Sequence, residues 1–260
     1  MEYLLVCSVA LFVSGLTLFS GFGLGTLLMP AFALFFPVPV AVAATAVVHL
    51  ANNLFKVSLL GKHADWSVVA RFGLPAALAA MGGAALLHLF AGQPPLAHYP
   101  LGSQTHWITP VKLTIGTLIV AFAGLELLPS LGSLTFDRRY LPVGGLLSGF
   151  FGGLSGNQGA FRAAFLLRAG LGPEAFVATG TVTAVIVDCA RLLVYGQGFY
   201  TRTLTGASAV GPLVFAATAA AFLGAFVGRR LLKKITLEGL QRLVGTMLVM
   251  VGLGLATGLL

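Results

Sequence analysis

Long apolar runs alternate with short polar stretches along the whole chain. Residues 3–36 are apolar almost throughout, are interrupted by Ser20-Gly21-Phe22-Gly23-Leu24-Gly25, and are closed by Pro37-Val38-Pro39. A membrane span needs about 20 apolar residues, so this stretch is too long for one span and short for two. The pattern predicts a helix over about 3–19, a break, and a short helix over about 26–36, with the prolines ending it. Full helices follow over about 40–60, 67–90 and 108–128. Between them lie the polar loop Gly61-Lys62-His63-Ala64-Asp65-Trp66, with a Trp suited to a membrane interface, and the Pro-rich, nearly uncharged stretch 91–107.

The second half repeats the plan. A connector over 130–140 carries Asp137-Arg138-Arg139. Residues 141–168 hold a second glycine break, Gly152-Gly153-Leu154-Ser155-Gly156-Asn157-Gln158-Gly159, followed by a turn at Gly170 to Pro173. Helices are predicted over about 174–195, 207–228 and 238–259. Ser20-Gly21 aligns with Ser155-Gly156 at an offset of about 135 positions, roughly half the chain. The organisation expected is a first repeat over 1–129, the connector 130–140, and a second repeat over 141–260.

Composition sets the solvent. The chain has 260 residues, 58% hydrophobic and 8% charged, with a mean hydropathy of +0.98. Soluble domains carry about 25% charged residues, so this chain is expected in lipid. A net charge of +8 would suggest nucleic acid in a soluble protein. Here the basic residues sit mostly in short connections, where they act as topology signals, and no nucleic-acid partner is expected. Cys7 and Cys189 lie inside apolar runs and form no metal-binding or disulfide pattern. No positive segment precedes the first apolar run, so a cleaved leader is not expected.

Loop charge separates two topologies. If every long apolar stretch crosses once, the chain has eight spans. Lys62, Arg138, Arg139 and Arg202 then oppose Arg168, Arg229, Arg230, Lys233 and Lys234, with no bias. If each glycine-broken stretch is a re-entrant-like hairpin, all of these except Arg202 share one side. The positive-inside rule favours the second arrangement. The fold class expected is therefore an all-α polytopic membrane protein of two inverted repeats, each a glycine-broken hairpin plus three transmembrane helices. Both termini fall outside the cytoplasm. An odd number of crossings per half gives the halves opposite orientation, as in many secondary transporters.

Candidate chemistry gathers at the breaks. Bare backbone cannot face lipid, so the breaks must be buried in protein or line a wet cavity. Gly21, Gly23, Gly25 and Gly156 would let a ligand approach closely, and the short helices beyond would offer N-terminal N–H groups to an anion. Close helix packing is the alternative use of such glycines. In the next helix His49, Asn52, Asn53 and Lys56 share a face, with Thr45 one turn back. In the second half Thr181, Asp188 and Arg191 do the same, and Asn53 and Lys56 align with Asp188 and Arg191. Ionisable groups in a span are costly unless paired or wet. Lys56 and Arg191 are candidates for neutralising an anion, or for snorkelling to an interface. Asp188 is a candidate for carrying a coupling proton, or a structural partner of Arg191. His49 is a candidate proton relay or a packing residue. Asn157, Gln158 and Arg162 follow the second break and complete the expected substrate-binding set. Cys189 is read as a packing residue, with sulfur chemistry as the alternative. No enzyme signature and no nucleotide-binding motif appear, and neither a metal nor a cofactor is expected.

The two glycine-broken motifs, each followed by a Pro- or Gly-containing turn and an Ala-Thr helix (Ala44-Thr45, Ala178-Thr179), resemble the TauE/SafE sulfite exporter family, also called the 4-toluene sulfonate uptake permease family. The resemblance covers almost the whole chain. Members usually have a glycine-richer break followed by a Pro. Gly21-Phe22-Gly23-Leu24-Gly25 with Pro30 keeps that spacing loosely, whereas the second break has no Pro until Pro173. The resemblance implies movement of sulfite, sulfonate or sulfoacetate-like anions across a bacterial inner membrane. The expectation is thus a secondary transporter working by alternating access, driven by protons or membrane potential. Its partners would be a small anion and the lipid bilayer, with homo-oligomerisation left open. An anion channel, or a membrane-embedded enzyme or assembly factor acting on a thiol or lipid, are the alternatives.

Overall fold

Helices follow the apolar runs closely. The structure is a computed structural model, and it describes residues 1–20, 24–127, 135–202, 207–231 and 237–260. Helix α1 is Glu2–Ser20, α2 Leu24–Ala33 and α3 Val38–Leu60. The short α4, Trp66–Val68, runs through a π-helical turn at Val69–Gly73 into α5, Leu74–Ala91. After a hairpin come α6, Pro110–Leu127, α7, Leu141–Ser155, and α8, Gly159–Leu166. The chain closes with α9, Pro173–Arg202, α10, Ala207–Leu231, and α11, Leu237–Ala256.

Four of these helical stretches are long and apolar enough to cross a membrane among the described residues: Val38–His63, Trp66–Ala91, Pro173–Gly196 and Val210–Val227. At 1.5 Å per residue, α1 with 19 residues comes close to crossing alone. Leu4, Phe12, Leu78, Phe215, Phe226 and Met250 stand exposed on the outside. In water such a surface would be a defect, and in lipid it is the expected face.

The helices pair in a reciprocal pattern. Helix α1 packs along α10, and α7, its counterpart by sequence offset, packs along α5, the counterpart of α10. The counterparts α3 and α9 pack on each other, as do α6 and α11. Glycines bring the partners close. Gly145, Gly149 and Gly153 on α7 lie directly on the backbone of Phe72, Ala76 and Ala80, and Gly224 lies on Leu11. Closely approaching small residues are the usual means of packing helices where lipid supplies no hydrophobic drive.

The second glycine-broken stretch turns back on itself. Phe136, just before α7, donates its N–H to Ala164 O at 3.3 Å and stacks on Phe165 at 4.3 Å between ring centroids. The start of the stretch therefore lies beside its end. Close by, Arg138 reaches Ser67 Oγ at 3.0 Å and Asp65 at 3.8 Å.

Strands appear where only a polar connection is expected. β1, Ala97–Leu101, pairs antiparallel with β2, Gln104–Ile108. A free two-stranded hairpin is marginal in water. This one leans on the chain terminus, where Tyr99 Oη donates to Thr257 O at 2.8 Å and Gly258 approaches the Trp107 carbonyl.

Candidate functional site

Gly156 ends α7 in the left-handed conformation, at φ +84°, with its N–H donating to Gly152 O at 3.0 Å. A β-carbon is strained there, so glycine is the natural stop. Asn157 and Gln158 follow, both buried, and α8 starts at Gly159. The first half comes up to this point. A β-carbon on Gly25, near the start of α2, would stand 2.9 Å from Gly156 O and 3.8 Å from the Thr45 methyl. The two glycine-broken stretches thus meet. Gly21 and Gly23 lie outside the described residues.

The polar stripes of α3 and α9 face this meeting point. Thr45, His49, Asn52, Asn53 and Lys56 are buried, as are Thr181, Asp188 and Arg191. Asp188 lies at the centre, with none of its surface exposed. Its Oδ1 accepts from Arg191 Nε at 3.0 Å, Arg191 Nη2 at 2.7 Å and Gln158 Nε2 at 3.2 Å. Its Oδ2 lies 2.6 Å from His49 Nδ1. Asn53 rests on the imidazole, with Nδ2 3.0 Å from Nδ1 and 3.3 Å from Nε2. Arg191 Nη1 donates to Gly152 O at 3.0 Å, and Tyr195 Oη donates to Gly153 O. One network therefore ties α3, α7, α9 and the second break together. Charged hydrogen bonds of this kind are the strong ones, and in a low-dielectric interior they fix geometry.

Arg191 is fully engaged by Asp188 and Gly152. Arg162 on α8 is different: its Nη1 is buried and has no hydrogen-bond partner. The side chain lies across Gly180 on α9, where a β-carbon would stand 3.6 Å from Nε. Its charge is felt at both His49 and Lys56. Further buried polar atoms without a hydrogen-bond partner lie on α3 and at the second break: Thr45 Oγ1, Asn52 Nδ2, Asn157 Oδ1 and Gln158 Oε1. Buried polar atoms are nearly always satisfied in native proteins, so these atoms are candidates for bonding a polar guest.

Thr181 and Cys189 are among the sequence candidates outside the network. Thr181 donates its hydroxyl to Val177 O at 2.7 Å, within its own helix. Cys189 is exposed, on the side of α9 away from buried Asp188. Three contributors were missed by sequence reasoning. Ser14 on α1 donates to Asn52 Oδ1 at 3.0 Å, Ser148 on α7 donates to Gln158 O at 2.9 Å, and Tyr195 caps the Gly153 carbonyl. Tyr195 stands one turn beyond Arg191 on the same face, and extending that stripe by four residues would have found it. Among the described residues no group of His, Cys, Asp and Glu side chains is placed to hold a metal.

A comparison with protein-family profiles matches residues 3–255 to the family described as Sulfite exporter TauE/SafE. The chain belongs to the TauE/SafE family. Neither the curated proteins nor the solved structures searched contain a match. TauE/SafE proteins are transporters and not enzymes, so this chain is a multi-pass membrane transporter whose family handles sulfite and related sulfur anions.

Proposed function

We propose that this TauE/SafE protein is a secondary transporter that moves a small sulfur-containing or organic anion across a bacterial inner membrane by alternating access. Its anion site lies where the two glycine-broken stretches meet. The observation that carries the reading is Arg162, whose buried Nη1 lacks a partner while Arg191 and Asp188 satisfy each other. Among the described residues Lys56, Arg162 and Arg191 outnumber the one buried carboxylate at this place, so the region is net positive and suited to an anion. A guanidinium presents paired N–H groups that match the oxygens of sulfite, sulfonate or carboxylate. Asn52, Asn157, Gln158 and Thr45 supply the remaining hydrogen bonds.

The halves are proposed to be inverted repeats, 1–129 and 141–260, with six spans, two hairpins and both termini on the non-cytoplasmic side. Support comes from the reciprocal pairing of α1 with α10 and of α7 with α5. Rocking of one repeat against the other would open the site to each side in turn. The transport is coupled to protons or to the membrane potential.

Proteoliposomes test this with sulfite, sulfate, sulfoacetate and lactate as probes. The expected result is saturable uptake of a sulfur anion. Losing one charge-assisted hydrogen bond of about 2 kcal/mol predicts that Arg162→Ala lowers uptake at subsaturating anion by more than about tenfold. Uptake that rises without saturation would indicate a channel. No uptake of any anion by folded protein would overturn the reading.

A further inference from the structure

Asp188 already occupies a place suited to an anion. Its two oxygens take four donated hydrogen bonds, from Arg191, Gln158 and His49. These are the kinds of donor that a sulfonate or sulfite would seek. A structural ion pair needs no imidazole on its second oxygen, yet His49 Nδ1 reaches across from the other half of the chain to within 2.6 Å.

Resting on the transport reading, we propose that Asp188 is a tethered anion that competes with the transported anion for Arg191, and that His49 is the relay that protonates it. The step balances. With a neutral imidazole, Nδ1–H donates to the Asp188 carboxylate. A proton arriving at Nε2 forms the imidazolium. The Nδ1 proton then passes to Oδ2, leaving a neutral imidazole with its proton on Nε2 and a neutral carboxylic acid at Asp188. Arg191 Nε and Nη2 lose their charged partner. The cluster has gained one positive charge, and an incoming monoanion restores the balance. Transport of the anion and of one proton is thereby linked through competition for the same guanidinium.

The surroundings of His49 fit this order of events. The charged groups that face it from packed elements are Asp188 and Arg191 on α9 and Arg162 on α8, with Lys56 on its own helix two turns further on. Asp188 is the one base among them in contact with Nδ1. Asn53 borders the ring at both nitrogens. Its amide presents a donor by its nitrogen or, turned over, an acceptor by its oxygen, so it serves either protonation state of Nε2.

The test uses the full chain in proteoliposomes with labelled sulfite as the probe. Half-saturating concentrations are compared at about pH 6 and about pH 8, the range in which a histidine changes charge. The ionisation of sulfite itself is common to every protein and cancels in the comparison. Wild type is expected to bind sulfite more tightly at the lower pH, by at least about fivefold beyond Asp188→Asn. Asp188→Asn, which removes the competitor, is expected to bind more tightly than wild type at the higher pH and to lose the pH dependence. His49→Gln, which keeps a donor to Asp188 but relays no proton, is expected to bind weakly at both pH values. The opposite signs of the two variants separate competition from mere structural support, which would weaken both. If Asp188→Asn weakens binding, or if the wild-type pH dependence persists in His49→Gln, the proposal is wrong. Absence of saturable uptake in wild type of sulfite and of every other anion in the panel would instead count against the transport reading itself.

Discussion

Asp65 stands where the loop after α3 turns into α4, and its Oδ1 accepts from the N–H groups of Ser67 at 2.9 Å and Val68 at 3.1 Å. It is an N-cap that satisfies donors the helix start leaves open. The Ser67 side chain first, then the Val68 N–H and the Arg138 charge, favour the ionised carboxyl and hold it below the usual carboxylate range. The folded state thus prefers ionised Asp65 more than the unfolded chain does. That contribution is complete above the ordinary aspartate value of about 3.9 and is lost as pH falls through the lower folded value. Asp65→Ala is expected to destabilise the protein by about 1 kcal/mol at neutral pH and by less in acid, read as thermal unfolding in detergent. An equal loss at both pH values would remove the carboxylate from this role. His49, Asp188 and Arg191 were legible in sequence because an ionisable group inside an apolar run has few tolerable places to point. Ser14 was not, since a lone serine fits any membrane helix by bonding to its own backbone. The engagement of Arg191 was also hidden, because spacing puts Asp188 beside it without showing that the Gly152 carbonyl takes its remaining nitrogen.

At the scale of elements, α7 shows what the glycines do. The run Gly145, Gly149 and Gly153 repeats every four residues and lays one face of α7 on the backbone of the π turn and α5. A β-carbon on Gly149 would fall on the Ala76 carbonyl, where nothing flexible can yield. Overpacking of that kind costs about 1–3 kcal/mol, so Gly149→Val is expected to lower the thermal midpoint sharply. Gly82 on α5 meets nothing within 4 Å. Gly82→Ala is expected to be neutral or stabilising by up to about 1 kcal/mol through helix propensity. Similar midpoints for the two variants would show that the α5–α7 contact is not tight. Both glycine breaks stood out in the sequence, but close packing and ligand approach were rival uses for them. The structure assigns Gly145, Gly149 and Gly153 to packing, while Gly25 and Gly156 bring the two halves together. The helices were legible because apolar length alone sets them. The π turn and the β1–β2 hairpin were not, since each depends on contacts distant in sequence, the hairpin on Thr257 and Gly258.

The whole molecule has two unlike ends. One gathers Lys62, His63, Asp65, Arg138 and the foot of the folded-back second stretch, linked by the Arg138–Ser67 and Phe136–Ala164 hydrogen bonds. The other holds the β hairpin against the residues that follow α11. The charge rule read from sequence required Lys62, Arg138, Arg139 and Arg168 to share a side, with stretch 91–107 and the C-terminus opposite. Arg202, Arg229, Arg230, Lys233 and Lys234 have side chains outside the described set. We propose from the basic residues that their end faces the cytoplasm, and this is testable in intact cells. In a Cys7→Ala, Cys189→Ala background, Ser103→Cys on the exposed hairpin turn is expected to react with a membrane-impermeant thiol reagent added outside. Lys62→Cys is expected to react only after the membrane is opened. The reverse pattern would invert the protein and place the basic end outside. Equal reaction of both positions in intact cells would put them on one side, and with it would go the single crossing of Trp66–Ala91 on which the three-span repeat depends.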